Sequence, residues 1–184
     1  FNKNTFDKIY SISTFEHIKN DKEAFREVSR VLKPGGLFVI SVPLKETPLF
    51  TKLAVKLPRP VKNLFYNKLV QDAKSEEDYL NNFNRYYFHY RNYTMDDIKE
   101  RLQNYGFEIA EKSYNCRFFG SFIWSMYHTL KLFERHKSPT TDYGFRSETA
   151  FALTTPFFYL LFLIDRLLFW TKGRIIVLKL RKKQ

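Results

Sequence analysis

Glycine is scarce in this chain, 6 in 184 residues, and no G-x-G-x-x-G or other glycine-rich turn precedes Gly35. A glycine loop for cradling phosphates is therefore not encoded ahead of that point. Cysteine is rarer still: Cys116 stands alone, which excludes an internal disulfide framework and a cysteine-based zinc cluster. A single thiol fits a reducing compartment, so a cytoplasmic location is expected. Acidic residues are outnumbered, 19 against 31 lysines and arginines, leaving a net charge of +12. That surplus suggests an anionic partner (membrane, nucleic acid or acidic metabolite), unless acidic residues elsewhere in a longer protein balance it. A long uncharged run is also missing. The stretch 150–164 stops at Asp165-Arg166 and contains Pro156, short of the ~20 apolar residues that a membrane span requires.

What is present is organised around Phe6 to Pro43, FDKIYSISTFEHIKNDKEAFREVSRVLKPGGLFVISVP. Ile9 and Ile12, flanked by Phe6 and Tyr10, make a β-prone segment ending at Ser13-Thr14. Asn20, with Glu23 three residues on, predicts a helix N-terminus closed by a capping box. Phe25, Val28, Val31 and Leu32 recur at helical spacing, and Lys33-Pro34-Gly35-Gly36 is expected to stop that helix. Leu37 to Ile40 then reads as a strand covered on both faces. The whole is a strand–helix–strand unit with parallel strands.

The same residues resemble a known family. Phe6-Asp7, Phe15-Glu16-His17-Ile18, Glu27, Arg30 to Gly36 and Phe38 to Pro43 look like the fourth-to-fifth-strand segment of class I S-adenosylmethionine-dependent methyltransferases, of the small-molecule "type 11" kind. The run Arg-Val-Leu-Lys-Pro-Gly-Gly before a strand is the most specific part. A second match is Tyr93-Thr94 … Ile98 … Leu102 … Gly106-Phe107, similar to the segment leading into the sixth strand. Thr94 with Asp97 predicts an N-cap there, Met95, Ile98, Leu102 and Tyr105 a buried stripe, and Phe107 to Tyr114 a strand. Arg174 to Leu180 is the expected last strand.

The resemblance implies an α/β Rossmann-like sheet of strands four to seven, with S-adenosylmethionine as cofactor and a small-molecule acceptor. It further implies that a glycine loop and an acidic ribose-binding residue lie upstream, so the chain is expected to be the C-terminal half of a longer protein. The expected division is 1–43 for the strand–helix–strand core, 44–93 for a cap insertion, and 94–115 for the helix and sixth strand. Residues 116–173 form an apolar helical insertion, and 174–184 the last strand and basic tail. The cap sits at the carboxyl end of the sheet, where α/β proteins bind ligands; packing of its own small core is the alternative.

Ser11, Ile12, Ser13 and Thr14 match positions that line the cofactor in the family, and Asp7 matches an acidic position of structural placement. For catalysis the candidates are His17, after the first strand, and His89, in the cap; each could equally be structural, as His128 and His136 look to be. A histidine base would suit a hydroxyl acceptor, so O-methylation is preferred. Some quinone O-methyltransferases carry Glu-x-x-Glu-His here and use a divalent metal; Ser13 replaces the first glutamate, and Glu16 with His17 alone makes a poor site, so no metal is expected.

The apolar segments Phe118 to Phe133 and Ala150 to Trp170 cannot both span a bilayer, and a single crossing would separate strands that must pair. A hairpin lying in the interface of an anionic membrane, through 150–172, avoids that conflict. Lys172, Arg174, Lys179 and Arg181 to Lys183 could then meet head groups; packing of these helices as the dry wall of a pocket is the alternative. A catalytically inactive membrane-docking module that keeps the fold is the competing function. Nucleic-acid binding lacks a motif, and its basic residues are scattered; a dehydrogenase is disfavoured by Lys33-Pro34-Gly35-Gly36.

Overall fold

The structure, a computed structural model, describes residues 1–47, 49–65, 71–117, 133–134, 144–145, 148–168 and 171–184. In chain order it contains β1 (Phe6–Ile12), α1 (Asp21–Val31), β2 (Leu32–Pro43), α2 (Leu49–Val55), α3 (Arg59–Phe65) and α4 (Glu76–Tyr87). These are followed by α5 (Met95–Asn104), β3 (Phe107–Asn115), β4 (Phe133–Glu134), β5 (Gly144–Phe145), α6 (Glu148–Leu167) and β6 (Ile175–Lys182). A 3-10 turn, Phe15–His17, links β1 to α1.

Four strands form one sheet in the order β1-β2-β6-β3. β1 and β2 are parallel, with Ile9 opposite Phe38 and Ile12 opposite Ser41. β6 runs antiparallel between β2 and β3, with Leu180 facing Phe38 on one side and Ile109 on the other. The expected α/β sheet is therefore found, and the last strand lies where the RIIVLKL run predicts, beside the preceding core strand. Its inner positions alternate: Ile176, Leu178 and Leu180 have no solvent exposure, whereas Lys179 reaches out to Glu111 at 2.6 Å.

The helix–strand junction departs from expectation. Lys33-Pro34-Gly35-Gly36 does not separate α1 from β2; the strand begins at Leu32 and passes through all four residues. Leu32 pairs with Phe6 and Leu37 with Lys8, so the intervening residues are extra on the β2 side and break the register. Gly35 permits this with φ of 75°, a left-handed conformation that side chains resist. Leu32 thus belongs to the strand rather than the helix stripe, although it is fully buried as the periodicity requires.

α5 follows its sequence signals closely. Thr94 accepts from the Asp97 N–H at 3.1 Å, and Asp97 accepts from the Thr94 N–H at 2.8 Å, a reciprocal capping box. At α1, Asn20 accepts from the Glu23 N–H at 3.4 Å. Phe25 of α1 and Ile98 and Leu102 of α5 join Phe38, Ile40 and Phe107 in one apolar core.

The chain forms two compact units. The first comprises Phe1–Glu46, Phe83–Asn115 and Gly173–Gln184, and holds the sheet. The second comprises Thr47–Asn82 and Cys116–Lys172. Within the second, buried Lys62 donates to the Val55 carbonyl at 3.2 Å and the Ala73 carbonyl at 2.8 Å. Its ammonium thereby satisfies the carbonyl end of α2. α6 carries Pro156 inside it, and no helix among the described residues is long and apolar enough to cross a membrane. Most of the first apolar segment, Phe118 to Phe133, lies outside the described residues, as do His128, His136, Phe169 and Trp170.

Candidate functional site

At the carboxyl end of β1, Ser11 pairs with Ile40 and Ile12 with Ser41, and the Ser13 N–H donates to the Ser41 carbonyl at 3.1 Å. The strand then stops because Ser13 turns into the left-handed region, φ 47°, a conformation that costs a serine energy and that clusters at ligand sites. Thr14 donates its hydroxyl to the Ile12 carbonyl at 3.0 Å, tightening the turn. Ile12, Ser13 and Thr14 are exposed and Ser11 is half-buried. The four predicted cofactor residues therefore form a continuous, accessible strand end.

The chain next makes its 3-10 turn, with the His17 N–H donating to the Thr14 carbonyl at 3.0 Å. Phe15 anchors that turn, buried against Phe25 with ring centroids 4.7 Å apart. Glu16 lies below it, 2 % exposed, and its Oε2 has no hydrogen-bond partner among the described residues. Burial raises the Glu16 carboxyl above the usual carboxylate range. His17 stands outward, exposed.

A distant segment is stitched onto this turn. The Tyr90 N–H donates to the Glu16 carbonyl at 2.8 Å, and Arg91 donates to the Lys19 carbonyl at 2.6 Å. The Tyr93 hydroxyl donates to Asp21 at 2.9 Å, and Arg91 pairs with the other oxygen of that carboxylate at 2.9 Å. Arg101, from α5, completes the group at 2.7 Å. Burial pushes the Asp21 carboxyl up, but hydrogen bonds from Arg101 and Tyr93 and both guanidinium charges outweigh it, so its pKa falls below the ordinary value. Burial, then the Asp21 charge, raises the Tyr93 hydroxyl.

This stitching brings His89 to His17. Their rings meet edge to face with centroids 4.7 Å apart. His17 Nδ1 lies 3.3 Å from the Phe88 carbonyl, which can only accept; this nitrogen therefore carries the proton, and the lone pair of a neutral ring sits on Nε2. Phe88 itself takes a left-handed φ of 56°, so left-handed residues flank the histidine pair on both segments. His89 is held by its N–H to the Asn84 carbonyl at 2.9 Å and packs near Phe83 and Tyr87. Burial, with the charges of His17 and Arg174, pushes its pKa down to about 4. His89 is thus a neutral ring at neutral pH.

Sequence reasoning missed Arg174 here. Assigned to head groups, it is instead 4 % exposed, with its guanidinium 3.9 Å from the Phe83 ring centroid. A cation–π contact of this kind is worth about 2 kcal/mol when desolvated. Its position just after Gly173, at the mouth of the last strand, was the available signal.

A model of the methyltransferase domain family matches residues 1–112, well over half of the chain. No curated protein sequence gives a significant match. Among solved structures, the chain is similar to a protein assigned provisionally as a sarcosine dimethylglycine methyltransferase from Galdieria sulphuraria, with TM-score 0.49 and 16 % identity over 100 % of this chain and 55 % of that one. It is also similar to phosphoethanolamine N-methyltransferase 2 of Haemonchus contortus in complex with S-adenosyl-L-methionine (0.48, 15 %, covering 100 % and 34 %). A third likeness is to the cyclase SpnF (0.45, 17 %, covering 100 % and 52 %). The chain spans about half the length, or less, of these structures. With its residues 1–112 matched, the chain belongs to the methyltransferase domain family.

Proposed function

We propose that the protein to which this chain belongs is an S-adenosylmethionine-dependent methyltransferase acting on a small, lipid-like acceptor. The family match over residues 1–112 carries the methyltransferase part of this reading. The accessible strand end at Ser11, Ile12, Ser13 and Thr14 fits contact with part of the donor. S-adenosylmethionine, when bound, supplies an electrophilic methyl on a positively charged sulfur.

The residues of this chain would then orient the acceptor and take up its proton. In-line alignment alone contributes on the order of 7–11 kcal/mol in favourable cases. An acceptor hydroxyl loses its proton as the methyl carbon–oxygen bond forms and the carbon–sulfur bond breaks. His17 is the better-placed base: it is exposed, and its Nε2 lone pair is fixed by the Phe88 carbonyl. His89, half-buried beside it, orients the ring edge-on. A hydroxyl acceptor, and hence O-methylation, is favoured because amines need no such base once neutral.

An exposed apolar surface together with positive charge supports contact with an anionic membrane, and with it a lipid-like acceptor. α6 exposes Leu153, Phe157, Leu160, Phe162, Leu163 and Leu167, in a chain whose net charge is +12. The test incubates the full-length protein with methyl-labelled S-adenosylmethionine and either a lipid extract or a soluble metabolite extract. Label in the lipid extract bears the reading out. Donor binding with transfer to neither extract overturns the lipid-like acceptor, and absence of donor binding overturns the methyltransferase reading and favours the inactive docking module.

A further inference from the structure

We infer that Glu16, His17 and His89 form a binding site for a divalent transition-metal ion of the zinc class. One ligand atom from each of the three lies within 4.8 Å of the other two. A carboxylate with two imidazoles is a donor set that suits such ions. Tetrahedral bonds of ~2.1 Å place ligand atoms about 3.4 Å apart, so the atoms need only draw together from within 4.8 Å. Exposed His17 has the freedom for that movement.

Three further observations point inward. Glu16 is 2 % exposed with Oε2 lacking a hydrogen-bond partner among the described residues. The His89 Nδ1 is likewise buried without one. An unsatisfied buried acceptor of this kind is destabilising unless something occupies its lone pair. Lastly, the Phe88 carbonyl holds the Nδ1 proton of His17, the outer-shell arrangement that directs Nε2 to a metal. The third ligand comes from a segment remote in sequence, so the pair Glu16-His17 by itself gave no complete set. Two imidazoles among the three donors favour nitrogen-seeking ions over hard, oxygen-seeking cations.

The binding claim stands apart from methyl transfer: His17 Nε2 acts as a base only in the metal-free protein, and in the metal-bound one the ion instead would lower the pKa of an acceptor hydroxyl, the one part that rests on the proposed function. The test titrates Zn²⁺ into the chelator-treated full-length protein by calorimetry, with Co²⁺ absorption as a second readout. One ion per chain is expected, with a Co²⁺ spectrum showing nitrogen ligation. Glu16→Gln, His17→Ala and His89→Ala should each weaken binding at least about tenfold, and Asp96→Asn, at an exposed position on α5, should not. His17→Ala, at an exposed position, keeps the test sound should a buried substitution unfold the protein. No stoichiometric ion, or affinity unchanged by His17→Ala, overturns the inference whatever the outcome of the transfer assay.

Discussion

His17 and His89, far apart in the chain, face each other edge to face with ring centroids 4.7 Å apart. The contact exists because residues 88–93 are bound to residues 15–21 by backbone and side-chain hydrogen bonds. Substituting His17 by Ala is expected to lower kcat by ~10²–10⁴-fold, the range for loss of a positioned base. Affinity for S-adenosylmethionine, measured by calorimetry, should stay within about threefold, since one hydrogen bond or less changes on the donor side. Unaltered turnover removes His17 from the reaction.

Asp21 is the knot of that stitching, 5 % exposed at its side chain and joined to Arg91, Arg101 and Tyr93. Asp21→Asn leaves Arg91 without its charge partner and Arg101 with Asp97 alone, 3.9 Å away, a change that costs up to about 3–5 kcal/mol for a buried pair. The pH dependence follows from the lowered pKa. The unfolded chain takes up this proton at a higher pH than the folded one, so the stabilisation is complete above the ordinary carboxylate pKa of about 4. It is lost as pH falls through the folded value. Denaturant unfolding between pH 7 and pH 3 should show that loss in the parent protein and much less of it in Asp21→Asn.

Gly173 is held against β3: a Cβ there would lie 2.1 Å from the Asn115 carbonyl oxygen. Backbone cannot yield as a flexible side chain can. Gly173→Ala should destabilise by about 1–3 kcal/mol, the usual cost of overpacking, and displace Arg174 from Phe83. Thermal unfolding checks the first, and loss of histidine-pair chemical shifts by NMR the second. An unchanged midpoint contradicts the contact.

The exposed apolar side chains of α6 give a separate expectation for membranes. Full-length protein should sediment with vesicles of anionic lipid more than with neutral ones, and salt should weaken the binding. Phe157→Ser with Leu160→Ser should reduce it without altering the fold, since both side chains are more than half exposed. Equal sedimentation by parent and variant excludes α6 as the contact.

Local signals in the sequence were legible where local physics decides the outcome. The Thr94–Asp97 capping box, the stripe at Ile98 and Leu102, and the alternation in β6 all depend on neighbours a few residues away. Lys33-Pro34-Gly35-Gly36 misled because the same residues that end helices also supply the extra, kinked backbone of an irregular strand start. The meeting of His17 and His89 was not legible, since it depends on Tyr90, Arg91 and Tyr93 reaching back across the turn. Arg174 was misjudged because a cation near a chain end reads as solvated; only the packed structure reveals Phe83 beneath it.

The central claim is that the carboxyl end of β1 contacts the methyl donor. Ultraviolet cross-linking of methyl-labelled S-adenosylmethionine to the full-length protein, followed by trypsin, tests it most directly. The label is predicted in the peptide 9–19, which contains Ser11 to His17, and unlabelled S-adenosylhomocysteine should displace it. Saturable labelling confined to other peptides, with 9–19 unmarked, would contradict the account.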